Sequence, residues 1–326
     1  MKPALARIAL GFTIVAFLAG CGSGLDHAQR LTLAALATHT LVPASSPGSS
    51  ANCTDTRNLT ASLRPPAAMP APGAMPAGSF MERIRRRGHL IAGVDQNTYR
   101  FAYFNPQTGQ IEGFEVDLLK QIANAILGNR PDNIVFKAIT TDERVSAVRS
   151  GSVDIVADAM TITCGRKRQV DFSTVYYDAG QRLLVPINSP VRSVKDLGGK
   201  RVCVTRASTS LQTLLAQRPR PAPDEVDQRT DCLVALQQGL VAAITSDDSI
   251  LLGFKAQDPD TTLVGPRFAD EPYGMAISKA HPEFVRFVNG VLARLRSDGT
   301  WRAIYARWLG HFVRTVPQPP AATYDG

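Results

Sequence analysis

The sequence predicts an α/β protein, and three observations predict it. Strand-like and helix-like runs alternate between residues 88 and 310, glycines stand where the helix-like runs stop, and no run of about 20 apolar residues is present to span a membrane. The strand-like runs are "HLIAGVD", "NIVFKAI", "VDIVADAM", "RVCVT" and "VAAITSD". Between them lie the helix-like runs "FEVDLLKQIANAIL", "ERVSAVRSG", "SLQTLLAQ" and "LVALQQG". Gly128, Gly151 and Gly239 follow helix-like runs, as expected of residues that tolerate a left-handed helix end. Repeated βα units imply parallel sheets, and such sheets bind ligands beyond the carboxyl ends of their strands. That directs attention to Asp95 and to residues 158–161, 205–210 and 246–248.

Composition sets the limits. The chain has 326 residues, 36 Lys and Arg against 28 Asp and Glu, a formal charge of +8 and 44% hydrophobic residues. It is therefore neither a disordered polyelectrolyte nor a coiled coil, and it has enough chain for two domains of roughly 100–150 residues. An excess of eight positive charges without a basic motif does not argue for nucleic acid, and beside anionic headgroups it is unremarkable.

The amino terminus reads as an address. Lys2 and Arg7 precede an apolar stretch from Ile8 to Leu18, too short for a spanning helix but suited to a signal-peptide core. It ends in Leu18-Ala19-Gly20-Cys21, which resembles the lipobox of bacterial lipoproteins. The resemblance implies a signal peptide over residues 1–20, lipidation of Cys21 and attachment to the outer face of the cell membrane. Residues 21–79, rich in Ala, Pro, Ser, Thr and Gly, are expected to be a flexible tether, and residues 313–326 a frayed tail.

Within the folded body, six segments occur in order: "GHLIAGVD" (88–95), "IEGFEVDLLKQIA" (111–123), "VDIVADAMTITCGRKRQVDFSTVYY" (153–177), "SVKDLGGKRVCV" (193–204), "EPYGMAIS" (271–278) and "DGTWRAIYARWLG" (298–310). Together they resemble bacterial solute-binding protein family 3, the glutamine-binding-protein type that serves polar amino acid uptake by ABC transporters. The resemblance implies a periplasmic-binding-protein-like type II fold, two α/β lobes joined by two hinge strands. Lobe one would be residues 80–182 plus 275–312 and lobe two residues 187–270. The hinges would lie near 183–186 and 271–273. It also implies a monomer that binds without catalysis and needs no cofactor or metal. Apart from Cys21, four cysteines without a C-x-x-C pair and five scattered histidines agree with the last point.

A free amino acid is a zwitterion, so a cleft that buries it must offer a partner for each charge. By the resemblance, Arg166 takes the α-carboxylate in a bidentate fork, assisted by Thr161 and by Ser208 and Thr209 at a helix start. Asp247, from the other lobe, takes the ammonium. Asp95 faces the ligand's side-chain end, with Tyr99 close by, and Asp158 adds a charge where relatives carry a small residue. A polar site of mixed charge suits glutamine, asparagine, glutamate or aspartate. For Asp247 the competing reading is a helix N-cap, and for Arg166 a surface cation.

After removal of Cys21, four cysteines remain, which permits three pairings in an oxidising compartment. Cys203 with Cys232 and Cys53 with Cys164 are the expected pairs. The first lies within one lobe and the second would pin the tether to the body. The receiver of a bound amino acid is expected to be an ABC permease or, alternatively, a membrane signalling protein. A dehydratase-like enzyme is the further alternative, for which Asp95, Asp158 or Glu143 would supply the proton donor. The spacing of Trp301, Tyr305 and Trp308 indicates core packing of a final helix rather than a platform for bases.

Overall fold

The structure is a computed structural model and describes residues 59–325. The first lobe begins with α1 (Phe80–Arg87), β1 (Leu90–Val94), β2 (Asn97–Thr98), β3 (Ala102–Asn105), β4 (Gln110–Glu112) and α2 (Phe114–Leu127). It continues with β5 (Ile134–Ala138), α3 (Glu143–Arg149), β6 (Ile155–Val156), α4 (Cys164–Lys167) and β7 (Asp171–Phe172). The long strand β8 (Tyr177–Pro186) leads into the second lobe. That lobe holds β9 (Arg201–Thr205), α5 (Thr209–Ala216), β10 (Ala222–Val226), α6 (Arg229–Gln237), β11 (Ala243–Asp247) and α7 (Asp248–Gln257). β12 (Thr261–Tyr273) returns, and β13 (Ala276–Ile277), α8 (Pro282–Ser297) and α9 (Thr300–Leu309) complete the first lobe.

Each lobe is built on a five-stranded sheet, in the orders β5-β1-β6-β13-β7 and β10-β9-β11-β8-β12. The expectation of parallel sheets holds for β5-β1-β6 and for β10-β9-β11, but β13, β8 and β12 run antiparallel to their neighbours. The cause is connectivity: a chain that crosses to a second lobe and comes back lays its outgoing and returning strands side by side in opposite directions. The same pairing relocates the outgoing crossing. Leu183 and Leu184, expected at the hinge, sit inside the second sheet opposite Thr245 and Ile244, while Tyr177 and Ala179 stand opposite Tyr273 and Glu271.

Local sequence explains the elements that frame the cleft. Ser79 caps α1 by accepting from the Glu82 N–H at 3.1 Å, and Gly88, at φ +93°, ends it. Gly113 precedes α2 at φ +140°, where a Cβ would lie 2.1 Å from the Phe101 carbonyl oxygen, so only glycine fits. The face of α2 carrying Phe114, Leu118 and Ile122 is wholly buried, and Trp301, Tyr305 and Trp308 of α9 are buried too. Trp301 donates its indole N–H to the Tyr176 carbonyl at 2.9 Å and Trp308 to Asp117 at 2.7 Å, so the expected core role of these rings is the observed one.

Two expectations change at the chain ends. Residues 59–79, expected as part of a tether, and residues 313–326, expected as a tail, both pack on the first lobe as far as they are described. Ser62 donates its N–H to Thr323 and accepts from the Asp325 N–H, forming a parallel bridge with Tyr324. Buried Asn289 of α8 donates to the Ser62 hydroxyl at 2.8 Å and to the Leu63 carbonyl at 2.7 Å. These segments run without helix and with several turns; the hydrogen bonds that hold them to the lobe go to partners far away in sequence, which composition cannot reveal. The expected signal peptide, Cys21, residues 21–58 and Cys53 lie outside the described residues. Cys164 is disulfide-bonded. Among the described residues no helix is long and apolar enough to cross a membrane.

Candidate ligand-binding cleft

The carboxyl ends of both sheets face each other across a narrow cavity of about 20 Å³, room for roughly one water. Its walls come from both lobes. Thr141, Arg144, Thr161 and Arg166 belong to the first, and Ser208, Thr209, Ser210, Arg229 and Asp247 to the second. Five of the eight residues singled out from sequence therefore line one cavity: Thr161, Arg166, Ser208, Thr209 and Asp247. Asp95 lines an adjoining opening of about 100 Å³ with Asn97, Glu143 and Gln228. Asp158 is buried beside Arg229. Tyr99 is not among the lining residues; it packs edge-on against Tyr103, with the Arg100 guanidinium over its ring.

Arg166 sits in the one-turn helix α4, capped by the Thr163 hydroxyl. Its Nη1 donates to the Thr161 carbonyl at 2.7 Å. Part of the side chain meets solvent, but burial of the guanidinium, reinforced by the neighbouring positive charge of Arg144, lowers its pKa to about 9. A cation in that condition remains charged at neutral pH and gains from any anion brought to it.

Asp247 occupies the N-cap position of α7 without capping it. Its carboxylate accepts from the Tyr273 hydroxyl at 2.5 Å and from the Ser210 hydroxyl at 3.3 Å. Burial and the nearby Glu271 carboxyl push its pKa up to about 7. The capping reading therefore fails for Asp247. Asp248 takes a different part, in an ion pair with Arg267 at 2.6 Å.

Ser208 is the true cap of α5: its hydroxyl accepts from the Leu211 N–H at 3.0 Å and donates to the Thr205 carbonyl at 2.6 Å. Its side chain is thereby committed to the helix, which leaves the hydroxyls of Thr209 and Ser210 to face the cleft from that segment. Thr209 donates to Glu271 at 2.7 Å, and Thr161 donates to the same carboxylate from the first lobe.

Three charged residues were missed. Arg144, in "ERVSAVRS", donates to the carbonyls of Thr141 and Asp158 at 2.8 and 3.0 Å. Glu271, expected at the hinge, is 2% exposed and joins Thr161 to Thr209. Arg229, 6% exposed at the first position of α6, pairs with Asp95 at 2.9 Å and Asp158 at 2.7 Å. Burial alone would lower its pKa, but the Asp158 and Asp95 carboxylates outweigh it and raise the value. All three looked like ordinary solvated charges in their runs, and no spacing rule marks them as interior. The three nominated proton donors are engaged as well: Asp95 and Asp158 hold Arg229, and Glu143 accepts from the Thr140 N–H at 2.8 Å.

Cys203 of β9 and Cys232 of α6 form the expected disulfide, with a Cα–Cα distance of 5.3 Å. It ties the helix that carries Arg229 to the central part of the second sheet. Among the described residues no cluster of His, Cys, Asp and Glu is arranged to hold a metal ion.

Comparison with known proteins agrees with this architecture. The family model for bacterial extracellular solute-binding proteins, family 3, matches residues 90–311. An ABC transporter glutamine-binding protein of Bacillus subtilis (strain 168) is 37% identical over 227 residues, covering 69% of this chain and 83% of the relative. A glutamine-binding protein of Geobacillus stearothermophilus is 38% identical over 61% of this chain and 76% of its own length. An ancestral arginine-binding protein solved with glutamine superposes with a TM-score of 0.64 at 34% identity, covering 69% of this chain and 99% of that one. The same protein solved with arginine matches equally well. These relatives are named for binding, and with a matched region that contains both sheets and the cleft between them, the chain belongs to the bacterial extracellular solute-binding proteins of family 3.

Proposed function

We propose that the cleft binds a polar amino acid outside the cytoplasm and delivers it to an ABC-type permease. One observation carries the reading: Arg166 of the first lobe and Asp247 of the second, charges of opposite sign, line a single cavity. An amino acid lying between them places its α-carboxylate toward Arg166, Thr161 and Thr209 and its ammonium toward Asp247. Each lobe then holds one end, and the ligand stabilises the closed arrangement by its differential contacts. Because the cavity is far smaller than an amino acid, entry requires the lobes to part along β8 and β12.

Glutamine, asparagine, glutamate and aspartate are the proposed candidates, supported by the glutamine-binding relatives and by the mixed charges around the cleft. One chain supplies both charges, which suits a monomer. At the amino terminus, Cys21 is the proposed lipidation site that holds the protein on the outer membrane face after removal of residues 1–20. Mass spectrometry of the mature amino-terminal peptide tests it; an unmodified peptide that starts elsewhere contradicts the anchor.

A thermal-shift screen of the twenty amino acids tests the function. Ligand at about 100 times its Kd adds about 2.7 kcal/mol, a shift of a few degrees for a protein of this size. Arg166→Ala should remove every shift, and Asp95→Ala should reorder the ligands. No shift with any amino acid, or a normal response from Arg166→Ala, overturns the reading.

A further inference from the structure

β1 and β6 are neighbours in the first sheet, with Ala92 opposite Ile155 and Gly93 opposite Val156. Two residues beyond those pairs, the strand ends project Asp95 and Asp158, so two carboxylates lie side by side at the cleft. Asp95 is 6% exposed and Asp158 1%. Asp158 finds its compensation in arginine partners, Arg229 at 2.7 Å and Arg144 at 3.8 Å. Two buried anions demand a cation, and a planar guanidinium is the side chain that serves two carboxylates at once.

Arg229 meets that demand from the opposite lobe. Its Nη1 lies 2.9 Å from Asp95 and 2.8 Å from the Thr98 hydroxyl, and its Nη2 lies 2.7 Å from Asp158 and 3.2 Å from the Thr141 hydroxyl. All four partners belong to the first lobe. The same side chain lines the cavity with Arg166 and Asp247, and beside it Arg144 stands 3.8 Å from Asp158. A ligand whose α-groups engage Arg166 and Asp247 therefore turns its side chain toward a wall already carrying two guanidinium groups.

We propose that Arg229 fixes the charge class of the ligand: it is a resident guanidinium that fills the Asp95–Asp158 pair, so the cleft rejects amino acids with a cationic side chain. The proposal rests on the amino-acid reading above and sharpens it. Because Arg229 holds both carboxylates, a neutral or acidic side chain entering the cavity meets the guanidinium groups of Arg229 and Arg144, whereas a lysine or arginine ligand would have to displace Arg229 from Asp95 and Asp158. Removing the resident guanidinium frees space, leaves Asp95 without its cation and Asp158 with Arg144 alone, and the preference should move toward cations.

Isothermal titration calorimetry on the full chain tests this with L-glutamine, L-glutamate, L-arginine and L-lysine as probes. The wild type is expected to bind glutamine or glutamate at least a hundredfold more tightly than either basic amino acid. Arg229→Ala should gain arginine or lysine affinity by tenfold or more. Combining it with Asp95→Asn and Asp158→Asn should cancel that gain. Circular dichroism establishes folding; if Arg229→Ala does not fold, Arg229→Gln, which keeps donors for Thr98 and Thr141, is judged by the same criterion. A folded variant with the wild-type ranking of the four probes, or a wild type that takes arginine as tightly as glutamine, overturns the assignment of Arg229 alone. A wild type that binds none of the four overturns both this proposal and the amino-acid reading beneath it.

Discussion

Asp247 heads helix α7, yet its carboxylate turns away from the helix to accept the Tyr273 hydroxyl at 2.5 Å. Tyr273 ends β12, the strand that returns to the first lobe, so the group proposed to hold the ammonium is oriented from the crossing itself. Removing that donor should weaken ligand binding while leaving the fold intact. For Tyr273→Phe we expect about a tenfold loss of affinity, in the range of one charge-assisted hydrogen bond, and for Asp247→Asn a hundredfold or greater loss. Titration calorimetry with the best ligand from the screen measures both. Equal affinity in Asp247→Asn and wild type would remove Asp247 from the site.

Acidity should reveal the same group. Asp247 is pushed up to about 7 by burial and nearby Glu271, and Glu115, behind the cleft, to about 7 mainly by burial. Between about pH 4 and 7 such a carboxyl keeps its proton in the folded protein and has lost it in the unfolded chain. Each group therefore withdraws up to about 1.4 kcal/mol of stability per pH unit as pH rises through that window. Ammonium binding needs the ionised form, so ligand-induced stabilisation should grow over the same window. Calorimetric scans from about pH 5 to 7.5 should show Asp247→Asn with a shallower decline than wild type. Identical slopes would contradict the assignment.

The Cys203–Cys232 bridge closes a sequence separation of 29 residues. On the chain-entropy account its loss costs about 3–4 kcal/mol. Replacing both cysteines by serine should lower the urea midpoint accordingly, and hydrogen exchange should rise in α6 and β9 before it rises in α2. Uniform loss of protection would show that the bridge does not act locally.

Asn289 offers a test of the joined chain ends. Its side chain donates to Ser62 and Leu63 and accepts the Thr174 N–H at 2.7 Å, three bonds in a buried position. Asn289→Ala should cost about 2–4 kcal/mol, since each unmet buried partner carries its own desolvation penalty. Limited proteolysis should then cut between residues 59 and 79. Resistance equal to wild type would mean that the segment is held by its other contacts.

Much of the fold was legible because periodicity and glycine punctuation are local signals: α2, β1, β9 and β11 fall where the runs "FEVDLLKQIANAIL", "HLIAGVD", "RVCVT" and "VAAITSD" placed them. The antiparallel strands were not legible, because direction within a sheet depends on which lobe the chain returns to. Within the cleft, Arg166 and Asp247 came from a family pattern. Arg229 and Glu271 did not, since an arginine at a helix start or a glutamate on a strand carries no mark of the opposite wall it will meet. Ser208 was read as a ligand contact for its place at a helix start; the same place made its hydroxyl a cap.

The bridge between Ser62 and Tyr324 has a mechanical meaning. A pull reaching residue 59 from the amino-terminal side meets Lys167 of α4, which donates to the Leu59 and Ala61 carbonyls, and then Ser62 with Asn289 of α8 and the Phe172 carbonyl of β7, all within the first lobe. None of these hydrogen bonds reaches β8 or β12, so tension arriving at residue 59 should leave the swing of the second lobe free. A chain hung from a surface by its amino terminus should therefore capture its ligand as tightly as one diffusing freely.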